Sequence, residues 1–94
     1  MATYFLLGKY SSESLNQISS ARTKKVSETI EKLGGKVKSI YALLGEKDVA
    51  VIVDLPGSSA AVKASLALAK ATGIGFTTSE AVSIEEFDKL AKDI

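Results

Sequence analysis

The chain has 94 residues and a formal net charge of +1, with 46% hydrophobic and 24% charged residues. This size suits a single domain, and the composition is too apolar for a disordered protein and too neutral for strong electrostatic attraction to nucleic acid or an anionic membrane. The chain has no cysteine and no histidine, which excludes disulfides, thiol catalysis, iron–sulfur clusters, a haem held by a proximal histidine and nearly all zinc sites.

The first two predicted elements are a strand and a long helical stretch. The strand runs from Thr3 to Tyr10, and four consecutive apolar residues from Tyr4 to Leu7 make it apolar on both faces. Helical spacing of apolar residues then extends to Leu33, and the serines at positions 11 and 12 offer N-caps. The polar segment 19–23 interrupts this spacing, so we expect a kink or a break there. The glycine pair at positions 34 and 35 ends the helix.

The middle of the chain predicts a β-hairpin. Lys36–Leu44 and Asp48–Leu55 have the composition of strands, and the segment 45–47 between them is a short turn. In the second of these strands, alternation separates three valines from Ala50 and Ile52. In the first strand, strict alternation places one set of side chains together on one face: Val37, Ser39, Tyr41 and Leu43.

The last third of the chain predicts a helix, a strand and a short terminal helix. Ser58 or Ser59 is the expected cap of an alanine-rich helix that runs to about Thr72 and ends at Gly73. A strand follows over residues 74–82. The segment 83–86 has the sequence of a capping box, and it precedes four apolar residues at helical spacing: Phe87, Leu90, Ala91 and Ile94.

This order of elements predicts an α+β protein with the ferredoxin-like βαββαβ fold, an antiparallel sheet and an added C-terminal helix, as one domain over residues 1–94. Right-handed crossovers place the first and third strands in the centre of the sheet. The same two strands are the most apolar on both faces, which agrees with central positions.

Two helices cover only one face of a four-stranded sheet, so the opposite face of this sheet should expose apolar residues. Burying about 400 Å² of apolar area per subunit would contribute about 10 kcal/mol before the costs of association. We therefore predict a homodimer, or a larger closed assembly, in which sheets pack against each other. The alternative is that the C-terminal helix folds over its own sheet.

Several segments resemble the GYD-domain family, which is grouped with the dimeric α/β barrels. The similar segments are the opening strand 4–10, the junction 33–37, and the segments 41–45, 48–53 and 83–90, which together cover nearly the whole chain. The resemblance implies a ferredoxin-like monomer and a sheet-packed dimeric barrel, and it implies no activity. The chain departs from the family at Lys47, where an aromatic residue usually precedes the aspartate.

Two charged residues are candidate site residues. Arg22 is the chain's single arginine, and arginine is the preferred partner of carboxylate and phosphate groups; the alternative is a solvated or ion-paired side chain. Asp48 follows the tight turn, where a carboxylate acts either as a general base or as an acceptor of hydrogen bonds from turn amides that fixes the hairpin register.

The other candidates are aromatic or lie on the last strand. Tyr4, Tyr10 and Tyr41 combine an apolar ring with a polar tip, so they could line a ligand pocket or pack in a core or interface. Glu80 shares a strand face with apolar residues, and a carboxylate in a cleft there would have a raised pKa.

Three functions stay open at this point. The first is a non-catalytic oligomeric module that binds a small molecule or a protein partner. The second is a cofactor-free enzyme of the oxygenase or isomerase type that the dimeric barrels include, using tyrosines and one carboxylate. The third is RNA binding, but the chain lacks the aromatic and basic motif of RNA-recognition domains.

The glycines fit neither a phosphate loop nor a dinucleotide fingerprint, so we expect no cofactor, and no acidic cluster predicts a metal. Without a leader or a membrane-spanning run, we expect a cytoplasmic protein.

Overall fold

Four strands and four helices follow one another along the chain in the computed structural model, which describes residues 1–94. In chain order they are β1 (Ala2–Lys9), α1 (Ser12–Leu15), α2 (Ser20–Lys32), β2 (Lys36–Ala42), β3 (Val49–Leu55), α3 (Ser58–Thr72), β4 (Gly75–Ala81) and α4 (Ile84–Lys92). None of these helices combines the length and the apolarity that crossing a membrane would need.

The strands form one antiparallel sheet in the order β2-β3-β1-β4. This is the ferredoxin-like α+β arrangement, and the central positions of β1 and β3 confirm the prediction from their apolar character. Leu6 lies opposite Val51 on one side and Thr78 on the other, and Tyr4 lies opposite Val53 and Glu80. The dimeric barrel concerns two chains and stays a prediction.

The core lies between the sheet and the helices α2 and α3. Alternate residues of β1 and β3 point into it, and Leu6 and Val53 are fully buried. From the helices, Ile30 and Leu68 meet them and are also fully buried. Alanines on α3, such as Ala64, let this helix approach the sheet closely because they add little side-chain volume.

The other side of the sheet, here called the open face, carries no helix. Its centre holds Phe5 and Leu7 on β1, with Ala50 and Ile52 on β3, in the registers Phe5–Ile52 and Leu7–Ala50. Phe5 is 37% exposed, and Leu7 and Ile52 are half-buried. An apolar patch of this kind on an uncovered sheet is the feature that the sequence predicted.

A β-bulge corrects the predicted face pattern of β2. The register shifts between Val37 and Ser39, so Lys38 is an extra residue on this strand. Val37 pairs with Val53, and Ile40 with Val51, which puts both on the helix-covered side. Strict alternation therefore fails at the bulge, and Val37 does not share a face with Ser39 and Tyr41 as predicted.

The helix boundaries confirm the predicted break and correct one cap. The long helical stretch is divided into α1 and α2 by residues 16–19, and Ser19 caps α2 by accepting a hydrogen bond from the Arg22 N–H at 3.1 Å. Gly34 and Gly73 take positive φ angles at the ends of α2 and α3. The N-cap of α3 is Gly57, which has no side chain, so neither Ser58 nor Ser59 fills the predicted capping role.

Helix α4 begins where the Ser83 hydroxyl accepts a hydrogen bond from the Glu86 N–H at 3.1 Å. None of its residues is buried, and Phe87 and Leu90 are more than half exposed. The predicted alternative, in which this helix folds over its own sheet, is therefore wrong for the single chain.

Candidate functional site

A mostly apolar cleft lies between the first turn of α2 and the end of the sheet where β1 finishes. It has a volume of about 180 Å³, and nine of its twelve lining residues are hydrophobic. Arg22 and Tyr10 lie at this cleft together with Val26, Ile40 and Phe76. We call it the Arg22 cleft.

The Arg22 side chain is held in place by two neighbours. Its Nη1 donates a hydrogen bond to the Ser14 carbonyl oxygen at 2.5 Å, and its guanidinium carbon lies 5.2 Å from the centre of the Tyr10 ring. This distance is within the range of a cation–π interaction. The break between α1 and α2 makes the arrangement possible, because the Ser14 carbonyl of α1 then lies within reach of the first turn of α2.

Asp48 has a structural partner that sequence reasoning did not identify. Its Oδ2 accepts a hydrogen bond from the Tyr10 backbone N–H at 2.8 Å, and its own N–H donates to the Gly8 carbonyl at 2.8 Å. The carboxylate thus fastens the chain as it leaves β1, instead of accepting from the amides of the adjacent turn. Asp48 fixes the position of Tyr10, and through that ring it supports Arg22.

Gly8 leaves room for three side chains that form a wall of the cleft. A methyl group on its Cα would lie 2.8 Å from side-chain carbons of Val49, Ile74 and Phe76. All three of these residues line the Arg22 cleft. Sequence reasoning missed this role and the contribution of Ile18 and Ser19; the interrupted spacing at 19–23 was the one signal that pointed to the region.

A second groove lies between α3 and the edge strand β4. Tyr4, Ser65, Thr78 and Glu80 line it together with Leu66. The hydroxyls of Ser65 and Thr78 are hydrogen bonded at 2.5 Å. We call this the Tyr4–Glu80 groove, and strand register explains it, since Tyr4 and Glu80 are direct partners across β1 and β4.

Burial raises the pKa of the Tyr4 hydroxyl above its ordinary value of 10.0, and the Glu80 carboxylate adds to the rise through its charge and as a hydrogen-bond acceptor. The phenol therefore stays protonated at neutral pH. It can donate a hydrogen bond in the groove, and the raised pKa makes it a weaker acid than an ordinary tyrosine.

Alkaline pH should destabilise the native chain through Tyr4. Below about pH 10 this tyrosine is neutral in both the folded and the unfolded chain, whereas above it the unfolded chain releases the proton first. Stability should then fall as the pH rises through the folded pKa. Urea unfolding at several alkaline pH values should show a shallower loss for Tyr4→Phe than for the native chain. Tyr41→Phe is the control, because its ring is 58% exposed, and equal slopes in all three proteins would contradict the prediction.

The six candidate residues thus separate into three places. The Arg22 cleft brings together Arg22 and Tyr10, and Asp48 is hydrogen bonded to the Tyr10 backbone N–H. The Tyr4–Glu80 groove brings together Tyr4 and Glu80. Tyr41 belongs to neither, because β2 carries it on the open face at the edge of the sheet.

Comparisons with known proteins agree with this fold. The model of the GYD domain matches residues 4–91, and no curated protein matches the chain. Among solved structures, the chain is similar to the leucine response regulatory protein (LrpA) of Mycobacterium tuberculosis, with a TM-score of 0.58 and 11% sequence identity. The match covers 87% of this chain and 51% of the regulator, so the chain spans about half of that protein's length. At this identity, the likeness shows the fold alone.

Proposed function

The chain belongs to the GYD-domain family, and we propose that it acts as a homodimer that binds a small apolar molecule with one anionic group in the Arg22 cleft. The observation that carries the proposal is a guanidinium at a mostly apolar cleft whose lining contains no carboxylate. Arg22 donates one hydrogen bond to the Ser14 carbonyl, and its remaining N–H groups are available to a ligand.

The size and charge of the cleft indicate the ligand class. A cavity of about 150 Å³ lined by apolar side chains is known to accept benzene, and this cleft has about 180 Å³. It suits a branched or aromatic hydrocarbon group of that size. The planar guanidinium of arginine matches a carboxylate with two parallel hydrogen bonds. A small apolar monocarboxylate fits both conditions.

The affinities of leucine and of its analogue without an amine test whether the Arg22 cleft excludes an ammonium group. The structurally similar protein from Mycobacterium tuberculosis is called a leucine response regulatory protein, and leucine carries an ammonium group as well as a carboxylate. The Arg22 cleft has no acidic side chain to receive that ammonium. We therefore expect 4-methylpentanoate, which has the same hydrocarbon skeleton without the amine, to bind more tightly than leucine.

Substituting Arg22 with glutamine should weaken binding of 4-methylpentanoate by about 10-fold to 100-fold. This is the loss expected when a charge-assisted hydrogen bond, which contributes about 1.5–3 kcal/mol, is removed. Isothermal titration calorimetry measures this. Lys24→Gln, which removes a positive charge from an exposed position of the same helix, is the control and should bind as the native chain does. Binding that is equal in the Arg22 variant and the native chain would overturn the proposed site, provided that both unfold at the same temperature without ligand.

The homodimer is supported by the amount of surface that the single chain exposes. The accessible surface is 6283 Å², whereas a folded monomer of 9.9 kDa has about 5,200 Å². The excess of about 1,100 Å² exceeds the roughly 800 Å² that each partner contributes to a standard protein interface. The apolar open face is the surface that a second copy would cover.

A catalytic role is the second candidate, and the Tyr4–Glu80 groove favours it. A phenol that stays protonated beside an exposed carboxylate gives a hydrogen-bond donor and a proton acceptor in one groove. That pair suits proton transfer of the isomerase type better than it suits oxygen chemistry. Turnover of a carbonyl substrate with solvent deuterium incorporated at the adjacent carbon would favour this role over ligand binding alone.

A further inference from the structure

Helix α4 leaves a fully formed apolar stripe without a partner in its own chain. The stripe consists of Ile84, Phe87, Leu90 and Ala91, and Ile94 continues it just beyond the end of the helix; the exposed fractions of Phe87 and Leu90 are 56% and 54%. The radius of gyration is 14.1 Å, against about 12 Å for a compact domain of this length. The chain is extended because α4 does not pack back on the sheet.

The charges of α4 are arranged around this stripe. At about 100° per residue, Glu86 falls beside Leu90 on one border of the stripe, and Asp88 falls beside Ile84 on the other. Lys89 falls on the opposite side of the helix. The residues that directly flank the apolar stripe are therefore both acidic, and Lys92 lies one position farther round the helix beyond Asp88.

The open face has the complementary pattern. Four lysines flank its apolar centre of Phe5, Leu7 and Ile52, and we call them the lysine rim: Lys36 and Lys38 on β2, Lys9 at the end of β1, and Lys47 in the turn before β3. Lys38 lines a shallow pocket with Phe5 and Ile52, and the Lys47 Nζ lies 3.4 Å from the Thr77 hydroxyl on this face. Two carboxylates accompany these four lysines. Asp54 lies opposite Lys36 and accepts a hydrogen bond from the Thr3 hydroxyl at 2.8 Å, and Glu46 precedes Lys47 in the turn, so positive charge predominates.

We infer that α4 of one chain docks on the open face of a second copy, with the apolar stripe on Phe5, Leu7 and Ile52 and the acidic borders toward the lysine rim. This inference rests on the proposed homodimer and names the element that forms it. Bare contact between two open faces would bring two lysine rims together, which costs free energy through like-charge repulsion. Docking of α4 replaces that repulsion with attraction.

The dimensions fit this contact. Nine helical residues at about 1.5 Å each span roughly 13 Å, and the three spacings of about 4.8 Å across this four-stranded sheet span a similar width. The connection from β4 to α4 is only Val82 and Ser83, so the helix starts at the border of its own sheet. Mutual exchange of α4 between two copies gives two identical contacts and a closed two-fold dimer.

Single substitutions test the contact by sedimentation equilibrium on the full chain. Leu90→Glu should raise the dimer dissociation constant at least about 100-fold, because it removes a buried anchor and places a charge in the contact. Lys89→Glu is the matched control on the opposite side of α4, and it should leave the constant within about threefold of the native value. Leu90 has no place in the core, so both variants should keep the native circular dichroism spectrum.

The outcomes separate this inference from the homodimer itself. A native chain that stays monomeric at micromolar concentration overturns both. If Phe5→Glu dissociates the dimer and Leu90→Glu does not, the homodimer stands and the α4 contact is wrong. Direct packing of two open faces would give that result. Equal weakening by Lys89→Glu and Leu90→Glu would also overturn the contact, since charge alone would then be responsible.

Disulfide cross-linking gives an independent readout, since the native chain has no cysteine. A Leu90→Cys chain with ¹⁵N label and an unlabelled Leu7→Cys chain are mixed and oxidised. Docking in trans predicts a disulfide between labelled and unlabelled chains by mass spectrometry. Disulfides that join only two Leu7→Cys chains would show direct sheet contact and overturn the inference.

Discussion

Replacing Leu6 with alanine should lower the free energy of unfolding by about 2–5 kcal/mol, a large share of the roughly 5–15 kcal/mol that holds a domain of this size folded. Leu6 is fully buried at the centre of β1, between Val51 on one neighbouring strand and Thr78 on the other. The shortened side chain would leave a cavity between the sheet and the helices. Chemical denaturation with urea measures the change.

Leu44→Ala is the matched control for this substitution. It removes the same atoms from a leucine in the β2–β3 connection that is fully exposed to solvent, so its free energy of unfolding should change by less than about 0.5 kcal/mol. Similar losses in the two variants would show that β1 is not the centre of the sheet. That result would contradict the ferredoxin-like topology.

Replacing Gly35 with alanine should destabilise the chain by about 3 kcal/mol or more, because the added methyl group has no space. It would lie 2.5 Å from the Asp54 carbonyl oxygen and 2.5 Å from a methyl carbon of Leu55, and 3.2 Å from a methyl carbon of Ile30. A backbone oxygen cannot rotate away as a long side chain can, so β2 must move away from β3 at its first residues.

The control for Gly35→Ala is Gly75→Ala, at the start of the edge strand β4. A methyl group there meets no atom within 4 Å. Its midpoint of thermal unfolding should stay near the native value, while that of Gly35→Ala should fall by more than about 10 °C. If Gly35→Ala unfolds at the native temperature, the close approach of this residue to β3 is wrong.

Much of the architecture could be predicted because it depends on local pattern. The apolar character of β1 and β3 identified the central strands, and Gly34 and Gly73 marked helix ends through conformations that other residues avoid. The interrupted spacing near Arg22 predicted the break before α2. Each of these signals is contained in a few neighbouring residues.

The site could be predicted only in part, because its contacts join residues far apart in the chain. The bond from the Tyr10 N–H to Asp48 spans 38 positions, and the Tyr4–Glu80 pair depends on strand register. The bulge at Lys38 reverses the faces of β2 without any glycine or proline to signal it. Tertiary packing determines such features, so Arg22 could be named as a candidate while its cleft could not.

The shape of the Arg22 cleft depends on the absence of a side chain at Gly8. Gly8 lies in a central strand, and its three nearest neighbours are all cleft residues. A methyl group at this position would lie 2.8 Å from side-chain carbons of all three, so the walls of the cleft would have to shift to admit it. Glycine at this position is therefore part of what gives the cleft its shape, as Arg22 gives it its charge.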